Sequence, residues 1–124
     1  MSIFPQNYVG FVDGASHRTR NLSSATVLIY SPSDEVVSIR GIWLGQTTNT
    51  ITEYSVVIEL LYDAISFGIR RFIVRLYSQL VVLHLNNVYA VRSSSMLRIS
   101  LQVCLLERHF DYNKYQHIPR NSNT

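Results

Sequence analysis

The sequence contains little of several residues that mark common protein classes. Among its 124 residues it has one cysteine, one lysine, five glycines and three prolines. A single cysteine cannot form an internal disulfide, and so few glycines leave no glycine-rich loop to hold a phosphate. The composition therefore excludes a disulfide scaffold, a P-loop enzyme and a low-complexity chain.

Long apolar runs are also missing. No stretch approaches the ~20 residues of a bilayer span, and the N-terminus lacks the basic and apolar regions of a secretion signal. We expect an intracellular protein, cytoplasmic or nuclear, in a reducing compartment. Cys104, flanked by leucine and valine, is expected to be a small buried hydrophobe.

What the sequence does contain is a core and a modest positive charge. Apolar residues make up 47% of the chain, which at this length favours a single domain spanning residues 1–124. The net charge is +3, carried by ten arginines and Lys114. Arginine's planar guanidinium group suits phosphate, but solvated charges scattered over the surface would give the same net charge.

Hydrophobic periodicity predicts the order β-β-β-α-β-α-α-β. Strands are expected over residues 8–13, 25–30, 35–44, 71–77 and 112–118, and helices over 53–67 and 96–110. A further short helix, capped by Ser78, is expected to end at His84 or Leu85. The first three strands form an antiparallel meander, and the helix before the fourth strand makes a parallel crossover. The fold class is therefore α/β, a five-stranded mixed sheet with helices packed on it.

Four motifs follow one another along this framework. They are Asp13-Gly14-Ala15-Ser16, the run from Thr48 and Asn49 to Glu53-Tyr54, Ser78-Gln79-Leu80-Val81-Val82, and His117-Ile118-Pro119-Arg120 with Asn123. Together they resemble the landmarks of the ribonuclease H family, closest to the plant-type domains of retroelement, reverse transcriptase-like polyproteins. The resemblance spans essentially the whole chain and implies a ribonuclease H-like fold with the last two strands parallel to the first.

The resemblance also implies chemistry. In that family four carboxylates hold two Mg²⁺ ions, with Mn²⁺ as an alternative, and the ions assist cleavage of the RNA strand of an RNA-DNA hybrid. Asp13 and Glu53 match two of these metal ligands. Gly14, Ala15, Ser16, Thr48, Asn49, Ser78, Arg120 and Asn123 match the motif positions expected to lie along the substrate.

Two of the four family carboxylates do not match. Tyr77 stands where the family has an aspartate directly before Ser78, and a phenol offers Mg²⁺ only a neutral oxygen. The fourth carboxylate and the family's C-terminal helix would follow Thr124. We therefore expect weak or absent metal binding, impaired cleavage and retained binding of hybrid or duplex nucleic acid.

Simpler explanations exist for the same residues. Thr50 and Glu53 fit a capping box, Asp13 before glycine fits a turn, and Thr48 and Asn49 fit helix capping as well as sugar-phosphate contact. Arg70, Arg71, Arg75 and Arg120 fit either a nucleic-acid groove or a solvated edge, and Tyr54, Tyr77 and Tyr115 fit either base stacking or the core.

Two functional alternatives remain open at this point. One is an active hybrid endoribonuclease, in which Asp63 or Asp111 takes the place of the carboxylate missing at Tyr77. The other is a non-catalytic interaction domain that self-associates through an uncovered sheet face. The histidines do not show metal-ligand spacing.

Overall fold

The computed structural model describes residues 6–17, 22–45, 50–86 and 94–119. Five strands make one sheet: β1 (Tyr8–His17), β2 (Leu22–Tyr30), β3 (Val36–Gly45), β4 (Arg71–Leu76) and β5 (Tyr112–His117). Three helices accompany it: α1 (Thr50–Ser66), α2 (Gln79–Leu85) and α3 (Ser94–Glu107).

The strand order in the sheet is β3-β2-β1-β4-β5. β1 pairs antiparallel with β2, and β2 with β3, while β4 lies parallel to β1 and β5 parallel to β4. The predicted meander followed by two parallel strands is confirmed. Because α1 carries the chain from β3 back to the start of β4, the central strand β1 becomes the partner of both halves.

The predicted element types are correct, and the largest difference is the length of β1. We expected this strand to end at Asp13, but it continues to His17, with Asp13 opposite Thr26 and Ser16 opposite Ser23. Asp13 is therefore a strand residue, and its interpretation as a turn former is wrong. Cross-strand pairing with β2 overrides the weak strand propensity of the Gly-Ala-Ser segment.

The core lies on one face of the sheet, beneath the helices. Strict alternation buries Val27 and Ile29 on β2 and Phe72 and Val74 on β4, each at 0–1% exposure, against the inner side of α1. Gly10 on β1 makes this packing possible. A Cβ at Gly10 would come within 2.5 Å of the Phe72 ring, so only glycine lets the ring reach the strand.

α3 packs on α1 with a narrower apolar stripe than the sequence indicated. Val103 and Leu106 are buried, whereas Cys104, Leu101 and Leu105 face outward. The expectation that Cys104 is buried is therefore wrong. Apolar neighbours in sequence do not share a helix face, since adjacent residues are about 100° apart around the axis.

None of the helices in the described ranges has the length and apolar character needed to cross a membrane. The division of the chain into one domain stays a prediction.

Candidate functional site

The strongest candidate position lies where β4 leaves the sheet beside β1. Parallel pairing of these strands runs from Tyr8 and Phe72 to Phe11 and Arg75. Asp13 lies two residues beyond Phe11, and Tyr77 lies two residues beyond Arg75. Continuing the register would set their backbones one strand spacing apart, about 5 Å. The backbone thus brings together two of the positions identified from sequence.

The start of α1 lies at the same end of the sheet. β3 runs parallel to β1, because each is antiparallel to β2, and α1 begins five residues after β3 ends at Gly45. Glu53 is in the first turn of α1, and its side chain is exposed. Topology therefore places Glu53 at the same end as Asp13 and Tyr77. The residues before Thr50 lie outside the described ranges, so the capping box stays a prediction.

Ser78 has a clear structural task. It is the N-cap of α2, and its hydroxyl accepts a hydrogen bond from the Val81 backbone N–H at 3.3 Å. The side chain satisfies one of the free donors of the first helical turn. Gly14, Ala15 and Ser16 belong to β1, where they pair with Ala25, Ser24 and Ser23.

Four of the positions matched to substrate contact fall outside the described residues. They are Thr48, Asn49, Arg120 and Asn123. Their roles stay predictions.

Within the described ranges, no three histidine, cysteine, aspartate or glutamate side chains lie close enough to share an ion. Tyr77, the residue after β4, is 37% exposed and brings a hydroxyl where the family has a carboxylate. Mg²⁺ is normally held through charged oxygens and retained waters, and a metal site formed by Asp13 and Glu53 stays a prediction.

Neither of the aspartates considered as replacements for the missing carboxylate is at the site. Asp63 lies ten residues after Glu53 on α1, about 15 Å along the helix axis, and accepts hydrogen bonds from Arg40 Nε and Nη2 at 3.1 Å each. Asp111 accepts from Arg70 at 2.9 Å, at the opposite end of β4. Arg70 holds the pKa of the Asp111 carboxyl below its usual range. Replacement of the carboxylate at Tyr77 by either residue is therefore wrong.

A groove adjoins Tyr77 on the face of the sheet opposite the three described helices. We call this the open face; alternation assigns to it Phe11, Leu28, Ile39, Ile73 and Arg75. The groove has a volume of about 450 Å³. It is lined by Val9, Phe11, Val12, Leu28, Tyr30, Asp34, Arg75 and Tyr77.

Aromatic rings and a cation dominate the groove. Phe11 and Tyr30 pack edge to face with ring centroids 5.5 Å apart, and the Arg75 guanidinium lies 5.6 Å from the centre of the Phe11 ring. Arg75 Nε donates to Gln116 Oε1 at 3.1 Å. Both contacts are with neutral groups, so they position the guanidinium without cancelling its charge. The sequence singled out Arg75 and Tyr77 but missed Phe11 and Tyr30, which the alternation of β1 and β2 could have placed on the same face.

The other arginines differ in their partners. Arg71, also on the open face, donates to Asn7 Oδ1 at 3.0 Å and stacks 4.7 Å from the Tyr112 ring centre. Arg70 is an exposed partner of Asp111 at the far end of β4. Arg70 thus fits the solvated-edge interpretation, whereas Arg71 and Arg75 lie on the same face as the groove.

Two of the three tyrosines considered for base stacking belong to the core. Tyr54 is 0% and Tyr115 4% exposed, so neither can stack on a base. The Tyr115 hydroxyl donates to Glu107 Oε2 at 2.6 Å, which ties the end of α3 to β5. Burial raises the pKa of the Glu107 carboxyl, and the Tyr115 hydrogen bond offsets part of that rise. Sequence periodicity gave no sign of this pair.

A family model supports the ancestry suggested by the four motifs. The model described as "reverse transcriptase-like" matches residues 11–124. Bifunctional protein Rv2228c of Mycobacterium tuberculosis is 31% identical over 81 residues, which is 65% of this chain. The match covers 22% of the length of that relative.

Solved ribonuclease H structures share the fold. RNase H1 from the archaeon Halobacterium salinarum superposes with a TM-score of 0.81 at 26% identity, covering 92% of this chain and 86% of that one. The N-terminal RNase H domain of Rv2228c gives the same TM-score at 24% identity, with 92% and 88% coverage. LC11-RNase H1, solved in complex with RNA/DNA hybrid, gives 0.79 at 23% identity, with 94% and 88% coverage. The five-stranded mixed sheet is therefore a ribonuclease H-like fold, as the motifs predicted.

Proposed function

Starting from the fact that this chain belongs to the reverse transcriptase-like family, we propose that it binds RNA-DNA hybrid or duplex nucleic acid and cleaves the RNA strand weakly or not at all. One observation carries the proposal. The residue that follows β4, next to the strand that bears Asp13, is Tyr77 rather than a carboxylate.

The impairment follows from the charge available to a metal. Asp13 and Glu53 are the two carboxylates that the backbone brings to this end of the sheet, and two negative charges balance at most one divalent cation. Mg²⁺, with Mn²⁺ as an alternative, would in this fold activate water and stabilise a leaving oxygen. With Tyr77 contributing no charge, we expect a single weakly held ion.

Nucleic-acid binding is supported by the open face. The groove offers the Arg75 guanidinium to a backbone phosphate, the kind of contact that supplies much of the affinity for hybrid or duplex nucleic acid. LC11-RNase H1, whose fold this chain shares, was solved with an RNA/DNA hybrid bound. Neither feature depends on a complete metal site.

The cleavage half of the proposal is tested by restoring charge at Tyr77. We expect Tyr77→Asp to raise hybrid cleavage in Mg²⁺ or Mn²⁺ above the wild type, by about tenfold or more if the added ligand stabilises the transition state by ~1.4 kcal/mol. Tyr77→Phe is the matched control, because it alters the same exposed position without adding a carboxylate. Product formation is measured on a labelled RNA strand against a reaction containing chelator.

Two outcomes would overturn this half. Wild-type cleavage as fast as that of Tyr77→Asp would mean that the tyrosine is no impediment and that the chain is an active endoribonuclease. Equal stimulation by Tyr77→Phe would mean that the phenol blocks the substrate sterically and that no ligand is missing.

The binding half is tested by salt dependence. We expect the affinity for hybrid to fall with salt, and Arg75→Ala to reduce the slope of log K against log salt by about one. Arg70→Ala is the control, since Arg70 is neutralised by Asp111 at the other end of β4. A wild-type protein with no salt-dependent affinity for hybrid or duplex would favour the non-catalytic interaction domain instead.

A further inference from the structure

The edge strand β3 is unusually unprotected. Its ten residues, Val36–Gly45, include no proline and no lysine, and among the described residues only β2 pairs with it. Sheet edges of this kind leave a row of backbone N–H and C=O groups free for another strand. The opposite edge differs, since β5 has six residues and carries the exposed Lys114.

The exposed side chains of β3 are apolar and share one face. Ile39 is 66% and Trp43 68% exposed, and Gly41 lies between them. Their partners on β2 are Leu28, Thr26 and Ser24, which alternate with the buried residues of that strand. Ile39, Gly41 and Trp43 therefore form an apolar row on the open face of the edge strand.

We propose that β3 pairs with the β3 strand of a second copy of this chain, antiparallel and about a two-fold axis at Gly41, so that the two sheets join into one. In this register Ile39 lies opposite the partner's Trp43, and Trp43 opposite the partner's Ile39. Sliding the partner strand by two residues sets Trp43 opposite Gly41 and Ile39 opposite Gly45, or Ile39 opposite Gly41 and Trp43 opposite Val37, so that no Ile39–Trp43 pair remains. The row is therefore self-complementary in one register.

Charge does not oppose this pairing. The single charged residue of β3 is Arg40, whose guanidinium is held by Asp63 at 3.1 Å and lies 3.7 Å from Glu59 on α1. The register places Arg40 opposite the partner's Ile42, so no like charges face each other. The irregularities in the β2–β3 pairing lie near its ends and leave the segment 38–43 regular.

The size of the contact predicts a weak dimer. Stable interfaces bury roughly 1,200–2,000 Å² in total, and one strand pair with two tryptophans and two isoleucines lies at the low end of that range. We therefore expect a monomer–dimer equilibrium that shifts with protein concentration. The assembly stops at the dimer because β3 becomes internal and β5 is shielded by Lys114.

Sedimentation across a concentration series tests the surface. Ile39→Lys puts a charge opposite the partner's Trp43 at both ends of the interface, and it should weaken dimerisation by about tenfold or more. Leu101→Lys is the matched control, because Leu101 is 55% exposed on α3, away from the sheet edge. Monomers at every concentration, assemblies that grow beyond the dimer, or a dimer dissolved by Leu101→Lys and not by Ile39→Lys would each refute the proposal.

Cross-linking tests the register. In a Cys104→Ser background, Gly41→Cys places a cysteine on the two-fold axis. Its Cα would lie about 4.5–5.5 Å from the Cα of the same residue in the partner copy, which is within disulfide reach. A Cβ at Gly41 meets no heavy atom within 4 Å, so the fold accepts the change. Ile39→Cys is the control, since the two copies of residue 39 would be about 13 Å apart. We expect an oxidised dimer from Gly41→Cys alone; a dimer from Ile39→Cys instead, or from neither variant, would overturn the axis.

Discussion

Gly10→Ala is expected to destabilise the protein through steric overlap in the core. The new methyl group would lie 2.5 Å from Phe72 Cζ and 2.9 Å from Leu60 Cδ2, both inside contact distance. Neither neighbour can move freely, because Phe72 and Leu60 are each 0% exposed. Phe72 is also stacked on Phe110, with ring centroids 5.7 Å apart.

The expected loss of stability in Gly10→Ala is the sum of two opposing contributions. Forcing a methyl group into a close-packed core costs about 1–3 kcal/mol. Replacing a glycine within a strand by alanine stabilises the protein by about 0.5–1 kcal/mol, because the unfolded chain loses conformational freedom. We therefore expect Gly10→Ala to lower the free energy of unfolding by roughly 1–2 kcal/mol. Urea denaturation with an unchanged m value measures this directly.

A double mutant shows whether steric overlap with the Phe72 ring causes the destabilisation by Gly10→Ala. Phe72→Leu removes the ring atom nearest to the new methyl group, so Gly10→Ala should cost less in that background, with a coupling of about 0.5–3 kcal/mol. Gly41→Ala is the matched control, because a Cβ there meets nothing within 4 Å. The explanation fails if Gly10→Ala is as neutral as Gly41→Ala, or if its cost is the same with and without the Phe72 ring.

Two further predictions concern individual hydrogen bonds. The folded state raises the pKa of Glu107 above its ordinary value of 4.5, so the stability it contributes is complete below that pH and is lost as the pH rises through the folded pKa. Glu107→Gln keeps an acceptor for Tyr115 but cannot ionise, so its free energy of unfolding relative to wild type should increase from acid to neutral pH. Urea titrations at several pH values measure this difference, and a difference that stays constant with pH would contradict the prediction. Ser78→Ala should lower the free energy of unfolding by about 0.5–2 kcal/mol through loss of the α2 cap while leaving hybrid affinity intact, and weaker binding at unchanged stability would show a substrate contact instead.

The sequence predicted the elements with strong periodicity. In α1, Tyr54, Val57 and Leu61 recur at helical spacing, and all three are at most 1% exposed. Ser78 was predicted as the cap of α2 because a serine hydroxyl before an apolar run satisfies a free backbone N–H, and its hydrogen bond to Val81 confirms this. Such features depend on neighbours along the chain and are therefore visible in the sequence.

Features that depend on distant partners were missed. The extension of β1 past Asp13 requires the register with β2, in which Gly14 meets Ala25, and local propensity argued against it. The outward position of Cys104 depends on which side of α3 meets α1. The same limitation applies to Asp63 and Asp111, because no spacing rule indicates that Arg40 and Arg70 engage them.

The residues proposed for binding and for cleavage lie two positions apart on one strand pair. Phe11 and Arg75 form the last registered pair of β1 and β4 and contribute a ring and a cation to the open-face groove. Asp13 and Tyr77 come two residues later, where a metal ligand would be needed. Tyr77 also lines the groove, so Phe11 and Arg75 are the groove residues that a substitution at Tyr77 leaves in place. We therefore expect the Arg75 variant to act mainly on hybrid affinity and the Tyr77 variants mainly on cleavage.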